Sequence, residues 1–357
     1  MTRTSDTRWL HRFALATALM TVGLIAVGGL VTSHEAGMAV PDWPTSYGYN
    51  MFLFPISKWV GGIFYEHSHR LFASGVGFLT TILAVWLWVK EPRRWVRWLG
   101  VAAFFSVVLQ GVLGGLRVTL LKAQIGIFHA ILAQMFLVLL CAIALFTSSW
   151  WSRLAESERR AFMLSRRLSY LLAGATCLIL FQLALGATMR HQHAGLAVPD
   201  FPLAYGKVWP PMDAASLVSI NQWRADVRDF GPVTAFQIGL HMTHRLTAFV
   251  ILIAVGAFAW GVHRELGFQT RLARLAWGWF GLALSQLLLG ILTVWSNKAA
   301  DVATLHVVLG AATLVTGAIL NVVVIRCSSE GLVGATERPG RSSPAVLGAA
   351  RSVTSAA

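Results

Sequence analysis

Two short segments place histidine and arginine side chains at the start of long apolar stretches. Residues 66–70 read Glu-His-Ser-His-Arg, and residues 241–245 read His-Met-Thr-His-Arg. His129 and His306 stand near the start of two further apolar stretches. Ionisable groups at the depth of a membrane are costly and usually functional. These histidines are therefore the first candidates for chemistry.

The four histidines His69, His129, His244 and His306 occupy related places in two halves of the chain. The phrase Ala-Val-Pro-Asp occurs at residues 39–42 and again at residues 197–200, and a Tyr-Gly pair follows each copy at the same distance. The order of these features is the same in both halves. We interpret the pattern as an internal duplication of four helices in parallel orientation.

Pairs of histidines on neighbouring helices suggest the chemistry of a haem iron. Two histidines that face each other across a helical bundle commonly hold such an iron from both sides. A single membrane histidine is also explained by packing alone, but four at duplicated positions favour a site. We therefore expect one pair from His69 and His129, and a second from His244 and His306.

The two expected sites are chemically unequal. Glu66 precedes His69 by three residues, so both lie on one helix face. The equivalent position in the second half is His241. A carboxylate beside a macrocycle can act as a base or stabilise developing positive charge. The alternative is that Glu66 only pairs with Arg70.

Three arginines follow or face the histidines. Arg70 and Arg245 come directly after His69 and His244, and Arg117 ends the third apolar stretch. Because arginine binds carboxylates in a bidentate manner, the propionates of a haem are natural partners. The alternative is that each side chain extends to the membrane interface.

The composition is that of a membrane protein. Of 357 residues 56% are hydrophobic and 12% charged, and the mean hydropathy is +0.64. Each of eight apolar stretches is long enough for a helix that spans a bilayer, which takes about 20 residues. We predict an all-α polytopic membrane protein of eight transmembrane helices in two duplicated four-helix bundles. The stretches are 13–33, 66–89, 98–118, 125–147, 168–189, 237–260, 275–296 and 303–325.

The net charge of +14 indicates how the chain is oriented in the membrane and does not indicate nucleic-acid binding, because the basic residues lie in short segments between apolar stretches. Their distribution places both termini in the cytoplasm, and the two long loops and the histidines toward the outer face. Cys141, Cys177 and Cys327 have no metal-site spacing, so we expect no disulfide and no cysteine metal site.

The chain divides into five segments. We predict a cytoplasmic N-terminus at 1–12, an N-terminal half at 13–147 and a cytoplasmic linker at 148–167. A C-terminal half at 168–326 and a disordered cytoplasmic tail at 327–357 follow. The first apolar stretch is long enough to span, so we interpret it as a retained helix and not as a cleaved signal.

Taken together, these motifs resemble the haem A synthase family over roughly residues 13–325. The resemblance rests on the duplication, the paired Ala-Val-Pro-Asp loops, residues 66–70 and 241–245, and the histidines at 129 and 306. It implies an eight-helix enzyme of the bacterial inner membrane. Members oxidise the C8 methyl group of haem O to the formyl group of haem A, by stepwise hydroxylation, for cytochrome oxidase.

The resemblance also implies roles for the site residues. His244 and His306, with Arg245, would hold a resident haem b as cofactor. The substrate haem O would lie at the first pair, between His69 and His129 with Arg70 and Arg117, and Glu66 would be the catalytic carboxylate. Some members carry a cysteine pair in the first long loop, and this chain has none, so no thiol role carries over.

The implied partners are a haem O synthase as the source of substrate, assembly factors of cytochrome oxidase and membrane lipid, with no nucleic acid. The electron acceptor, and whether the chain forms a homo-oligomer, stay open. One alternative function is a di-haem b-type membrane electron carrier, which needs the same histidines but not Glu66. Another is a haem transporter or chaperone, which does not require a fixed carboxylate either.

Overall fold

Eight long helices make up most of the protein. The computed structural model describes residues 5–154, 162–228 and 230–336, and within them eight helices are long and apolar enough to cross a membrane. The described residues form no strand, only two isolated β-bridges in loops. The prediction of an all-helical, eight-span membrane protein is confirmed. The helices are α1 (Ser5–Ser33), α2 (Gly61–Lys90), α3 (Arg94–Thr119), α4 (Ile125–Thr147), α5 (Arg166–His191), α6 (Ala235–Leu266), α7 (Arg271–Trp295) and α8 (Ala300–Thr336).

Many polar side chains within these helices bond to the helix backbone, as a lipid environment favours. Threonine hydroxyls donate to the carbonyl one turn earlier, for example Thr80 to Val76 at 2.8 Å. Several helices begin at a side-chain cap. Thr234 forms a capping box with Gln237 at the start of α6, which satisfies backbone groups that the first turn leaves free.

Each half of the chain forms a ring of four helices. In the first half, α1 and α3 each pack against both α2 and α4. In the second half, α5 and α7 each pack against both α6 and α8. Helices α2 and α4 are therefore diagonal in their ring, as are α6 and α8. The rings meet where α1 packs on α8 and where α4 packs on α5 and α8.

The two rings share one apolar core. It includes the fully buried Leu83, Leu140, Leu172, Phe258 and Trp279. The indole of Trp279 donates to the Thr313 carbonyl at 2.9 Å, so this large side chain is buried with its polar atom satisfied. The core lies toward the end of the bundle that carries the chain termini.

The opposite end carries the two long connections, and we call it the loop end. Residues 34–60 join α1 to α2 and contain two short 3₁₀ turns, Met51–Leu53 and Ile56–Lys58. Residues 192–234 join α5 to α6 and contain a helix, Ala214–Arg228, that the sequence analysis did not predict. Arg224, only 4% exposed, holds this helix to the loop by donating to the Leu196 and Gly231 carbonyls and to the Tyr205 hydroxyl.

The boundaries differ from the expected segments at several points. Helix α1 begins at Ser5, inside the expected N-terminal segment, and α8 continues to Thr336, inside the expected tail. Residues 155–161 of the expected linker and 337–357 of the expected tail lie outside the described residues. The helices extend beyond the apolar stretches because polar residues at their ends continue the same hydrogen-bonding pattern.

Candidate functional site

The four histidines all lie toward the loop end, on the diagonal helices. His69 is on α2 and His129 is on α4, and these rings lie within electrostatic range of each other. His244 on α6 and His306 on α8 are related in the same way. Each pair therefore faces the interior of its own ring. The pairing expected from the sequence stays a prediction, which this arrangement permits.

A glycine on an intervening helix backs each histidine. A methyl group added to Gly28 of α1 would lie 3.1 Å from Cε1 of His69, and one added to Gly186 of α5 would lie 3.3 Å from that of His244. Gly114 and Gly290 approach His129 and His306 in the same way, at 3.6 and 3.5 Å. The glycines let each imidazole edge pack directly against a neighbouring backbone, which fixes the ring.

The ring nitrogens show an unusual feature. The Nδ1 atom of each of the four histidines is buried without a hydrogen-bond partner. Each side chain as a whole is only half-buried. Their Nε2 atoms are not fully buried, and they make no hydrogen bond within the described part of the chain. Nε2 is therefore the nitrogen left for a ligand.

These donors fit a haem rather than a bare metal ion. A haem iron needs only two axial ligands from the protein, and each ring supplies two imidazoles from diagonal helices. The described residues hold no group of three or more histidine, cysteine, aspartate or glutamate side chains that could bind a metal ion. Two paired sites thus match the chemistry expected for two haem groups.

Glutamine side chains hold the histidine helices from the neighbouring helix. Gln110 donates to the His129 carbonyl at 3.1 Å, and Gln286 donates to the His306 carbonyl at 2.7 Å. Gln182 of α5 donates to the His244 carbonyl at 2.9 Å. Each bond ties the backbone of a candidate ligand to the next helix.

Glu66 is buried, with 4% exposure, at the start of α2. Its Oε2 accepts a hydrogen bond from the Val40 amide at 2.9 Å, and its Oε1 pairs with Arg70 Nη2 at 2.9 Å. The pairing with Arg70 that the sequence left as an alternative is therefore present. Each oxygen accepts only one of these bonds and keeps further acceptor capacity. Arg117 lies within electrostatic range of this carboxylate.

Arg70 does not have the role expected for it. Its Nη1 donates to the Asp42 and Thr45 carbonyls, at 2.6 and 3.1 Å. Its Nη2 donates to the Val40 carbonyl at 2.6 Å as well as to Glu66. All four terminal N–H groups are thus used, and the residue fixes the first loop instead of presenting a fork to a propionate.

Arg245 is used in the same way in the second half. It donates to the carbonyls of Val198, Asp200 and Leu203, at 3.0, 2.6 and 3.1 Å. These contacts leave its Nε and one Nη1 N–H without a hydrogen bond in the described part of the chain, so a propionate partner for Arg245 stays a prediction. Each of the two arginines follows its histidine by one residue and turns toward the loop above it.

Arg117 has a buried guanidinium nitrogen that makes no hydrogen bond in the described part of the chain. The residue lies at the end of α3, and this nitrogen is its Nε. A methyl group at Gly37 would overlap its guanidinium, so the first loop packs closely over it. His69 and His129 are both within electrostatic range of its charge.

Three further histidines contact the loops or residues beside them. His67 is fully buried, with Nδ1 3.1 Å from the Ser46 hydroxyl and its ring against Phe54 and Trp59. His241 contacts the Ala194 carbonyl through Nδ1 at 3.1 Å, where its counterpart Glu66 binds Val40. His34 stacks on Tyr65 with ring centroids 4.0 Å apart. We see these contacts as supports for the loops.

Asp42 organises the first loop. Its carboxylate accepts hydrogen bonds from the Tyr47 and Gly48 amides at 2.7 and 2.9 Å and from the Thr45 hydroxyl. Burial alone would raise the pKa of Asp42, but these hydrogen bonds outweigh it and hold the pKa below its usual value. Asp200 accepts from Tyr205 and Gly206 in the second loop. Both aspartates therefore fix turns, as the sequence suggested.

Eight apolar helices that enclose two histidine pairs, one of them beside a buried carboxylate, define a multi-span membrane protein with two related but unequal sites. A family model described as cytochrome oxidase assembly protein matches residues 11–319. The chain belongs to this family.

Individual relatives in bacilli give more detail. The chain is 26% identical over 311 residues to a protein named heme A synthase from Bacillus cereus strain AH187, and 84% of this chain and 88% of that protein are covered. It is 25% identical over 308 residues to heme A synthases from Bacillus anthracis strain CDC 684 and Bacillus thuringiensis subsp. konkukian strain 97-27, with the same shares covered.

Proposed function

We propose that this protein is a haem A synthase, a membrane oxidoreductase that converts the C8 methyl group of haem O to a formyl group. The family and the names of its relatives support an activity on haem. The observation that carries the proposal is the buried carboxylate of Glu66, which lies one helical turn from His69. The second half has a histidine in its place.

The first ring is proposed as the substrate site. His69 and His129 bind haem O through their Nε2 atoms, and Arg117 supplies positive charge for its carboxylates. Glu66 is fixed by the Val40 amide and by Arg70, so that its remaining lone pairs can accept a proton or stabilise positive charge as the methyl group is oxidised.

The second ring is proposed as the site of a resident haem b, held by His244 and His306. When bound, this haem supplies one-electron redox chemistry for the electrons that leave the substrate. The residues of this ring bind and orient it. Gly186 and Gly290 fix the imidazole rings, and Gln182 and Gln286 fix the ligand helices. The electrons then pass to an acceptor outside the chain.

The proposal includes an orientation. The basic residues near the termini favour a cytoplasmic location for that end, so the loop end and both histidine pairs would face the outside of a bacterial inner membrane. The acceptor, the source of haem O and the assembly factors of cytochrome oxidase would then meet the protein at the membrane.

The test is a Glu66→Gln variant, expressed with a source of haem O. Glutamine keeps the shape of the side chain and removes the charge, so we expect bound haem to be retained while conversion to haem A falls at least about 100-fold, the low end for loss of a catalytic acid or base. The measurement is chromatography of haems extracted from the purified protein.

Glu91→Gln is the matched control. Glu91 is equally buried and pairs with Arg93 at 2.6 Å, at the opposite end of α2. This variant also loses a buried ion pair but lies far from both histidine pairs, so conversion should continue. Full conversion of haem O to haem A by Glu66→Gln would contradict a catalytic role for Glu66. Haem b alone at both sites in the wild-type protein, without conversion, would favour the di-haem electron carrier.

A further inference from the structure

Arg190, near the end of α5, lies at the contact between the two rings. Its Nη2 crosses to the first half and donates to the Gly29 carbonyl at 3.0 Å and to the Ser33 hydroxyl at 2.7 Å, both on α1. The next residue, His191, packs against Gly126 of α4.

The same guanidinium is close to the second histidine pair. Gly29, whose carbonyl it binds, packs against Thr304 of α8, and a methyl group on Gly29 would lie 3.0 Å from Thr304 Cγ2. Thr304 precedes His306 by two residues. The charge of Arg190 is within electrostatic range of the His306 ring. Arg190 is thus placed beside one ligand of the second site.

The charge of Arg190 has no counter-ion in the described part of the chain. No carboxylate there lies within salt-bridge distance of it, and its Nε and Nη1 make no hydrogen bond there. Arg70, by contrast, is paired with Glu66 and three carbonyls. A half-buried guanidinium without compensation is unfavourable unless an anion accompanies it.

The second ring has no other arginine in the corresponding role. In the first ring Arg117 follows Gly114 by three residues on α3, near the histidine pair. The equivalent position on α7, three residues after Gly290, is Thr293, whose hydroxyl bonds to the Leu289 carbonyl. The second site therefore receives its positive charge from a different helix.

We propose that Arg190 binds a carboxylate of the haem held by His244 and His306 and is the anion anchor of the second site. This inference rests on the proposed function, because it needs a haem at that pair. Nη2 ties the side chain to α1, which leaves Nε and Nη1 to form charge-assisted hydrogen bonds with a carboxylate. The anchor thereby connects the second haem to the helix that backs His69.

The test compares two ligands that differ only in the carboxylates. Protein made without haem, in a His69→Ala background so that only the second pair binds, is titrated with haem b and with its dimethyl ester, and the Soret absorbance gives each Kd. We expect haem b to bind roughly tenfold or more tighter than the ester, as a charged hydrogen bond predicts.

Variants then assign the preference to a residue. Arg190→Gln should remove most of the preference, and Arg190→Lys should keep part of it. Arg93→Gln is the matched control, because its guanidinium pairs with Glu91 at the opposite end of the bundle, and it should keep the full preference. Equal binding of the two ligands by the parent protein, or a full preference in Arg190→Gln, would overturn the anchor.

The outcome separates the two proposals. If neither ligand binds, or if binding survives His244→Ala, the assignment of the second haem site fails. If haem b binds with histidine ligation but without dependence on its carboxylates, the site stands and only the anchor fails. Because the ester comparison needs no mutation of Arg190, a folding defect in the variants cannot hide the result.

Discussion

At the scale of single residues, the candidate sites depend on glycines, which have no side chain, as much as on the histidines. Gly28 and Gly186 have no chemistry of their own, yet they allow the edges of His69 and His244 to rest on a neighbouring helix. A ring that is packed in this way loses little freedom when its Nε2 binds a ligand. The packing therefore preorganises these two histidines for a ligand at Nε2.

Gly28→Ala tests this packing. The added methyl group would lie 3.1 Å from the His69 ring, so the ring must shift, and we expect haem binding at the first pair to weaken by about 1–3 kcal/mol, as overpacking does. Gly114→Ala is the matched control, because its methyl group would lie at an ordinary 3.6 Å from His129. Titration of each variant with haem measures the difference, and equal affinities would contradict the role of Gly28.

The sequence predicted the chemistry-bearing residues better than their contacts. The four histidines and Glu66 could be found because ionisable groups are rare in apolar stretches. The partners of Arg70 and Arg245 could not, since backbone carbonyls carry no signature in the sequence. Arg190 was missed for a related reason. Its role depends on which helix it faces, and only the packing of α5 on its neighbours shows that.

At the scale of elements, each long loop is built around one aspartate and one arginine. The Asp42 carboxylate accepts hydrogen bonds from the amides of Tyr47 and Gly48. Arg70 donates to the carbonyls of Val40 and Asp42. The first loop is thereby fixed to α2 from both directions, directly above His69. A change that disturbs the structure of this loop should therefore also disturb the start of α2, and the reverse.

Asp42→Asn should loosen this loop. An amide has one oxygen where the carboxylate has two, so at least one of the hydrogen bonds from Thr45, Tyr47 and Gly48 is lost, at a cost of about 1 kcal/mol. Hydrogen exchange at the Tyr47 and Gly48 amides should become faster. Asp200→Asn is the control, since it should affect only the second loop. Unchanged protection in the first loop would contradict the argument.

The pH dependence of the same loop has a definite sign. The pKa of Asp42 is lower in the folded protein than the ordinary value of 3.8. Its contribution to stability is therefore fully present above pH 3.8 and is lost as the pH falls through the folded pKa. The Tyr47 and Gly48 amides should therefore stay protected from hydrogen exchange until the pH falls to the folded pKa of Asp42, and should lose that protection below it.

The elements themselves were largely predictable, and their details less so. Eight apolar stretches correctly predicted eight helices because an apolar segment in lipid can satisfy its backbone only as a helix or a closed barrel. The helix Ala214–Arg228 was not predicted, because it is neither long nor apolar. It is held by buried Arg224, a polar contact without a sequence pattern.

At the scale of the whole molecule, the two rings share one core at one end and hold separate sites at the other. The matched contacts of Gln110 and Gln286, of Asp42 and Asp200, and of Arg70 and Arg245 support the predicted duplication. The division of labour between the halves then depends on a few substitutions, of which Glu66 against His241 is the clearest.

The orientation of the molecule can be tested by labelling. In a background without the native cysteines, Ser57→Cys lies in the exposed first loop, and Ser152→Cys lies exposed at the opposite end. A membrane-impermeant maleimide applied to intact spheroplasts should label the cysteine at 57 and not the one at 152. Labelling in the reverse pattern would invert the proposed topology and place both sites at the cytoplasmic side.

The arginines that fix the two loops do so almost entirely through main-chain oxygens. A carbonyl group is present whatever side chain its residue carries, so most positions that Arg70 and Arg245 contact can mutate without loss of the contact. Such an arrangement protects the shape of a loop while its sequence drifts. Substitutions at the contacted positions should therefore leave the shape of both loops, and the position of the histidines beneath them, unchanged.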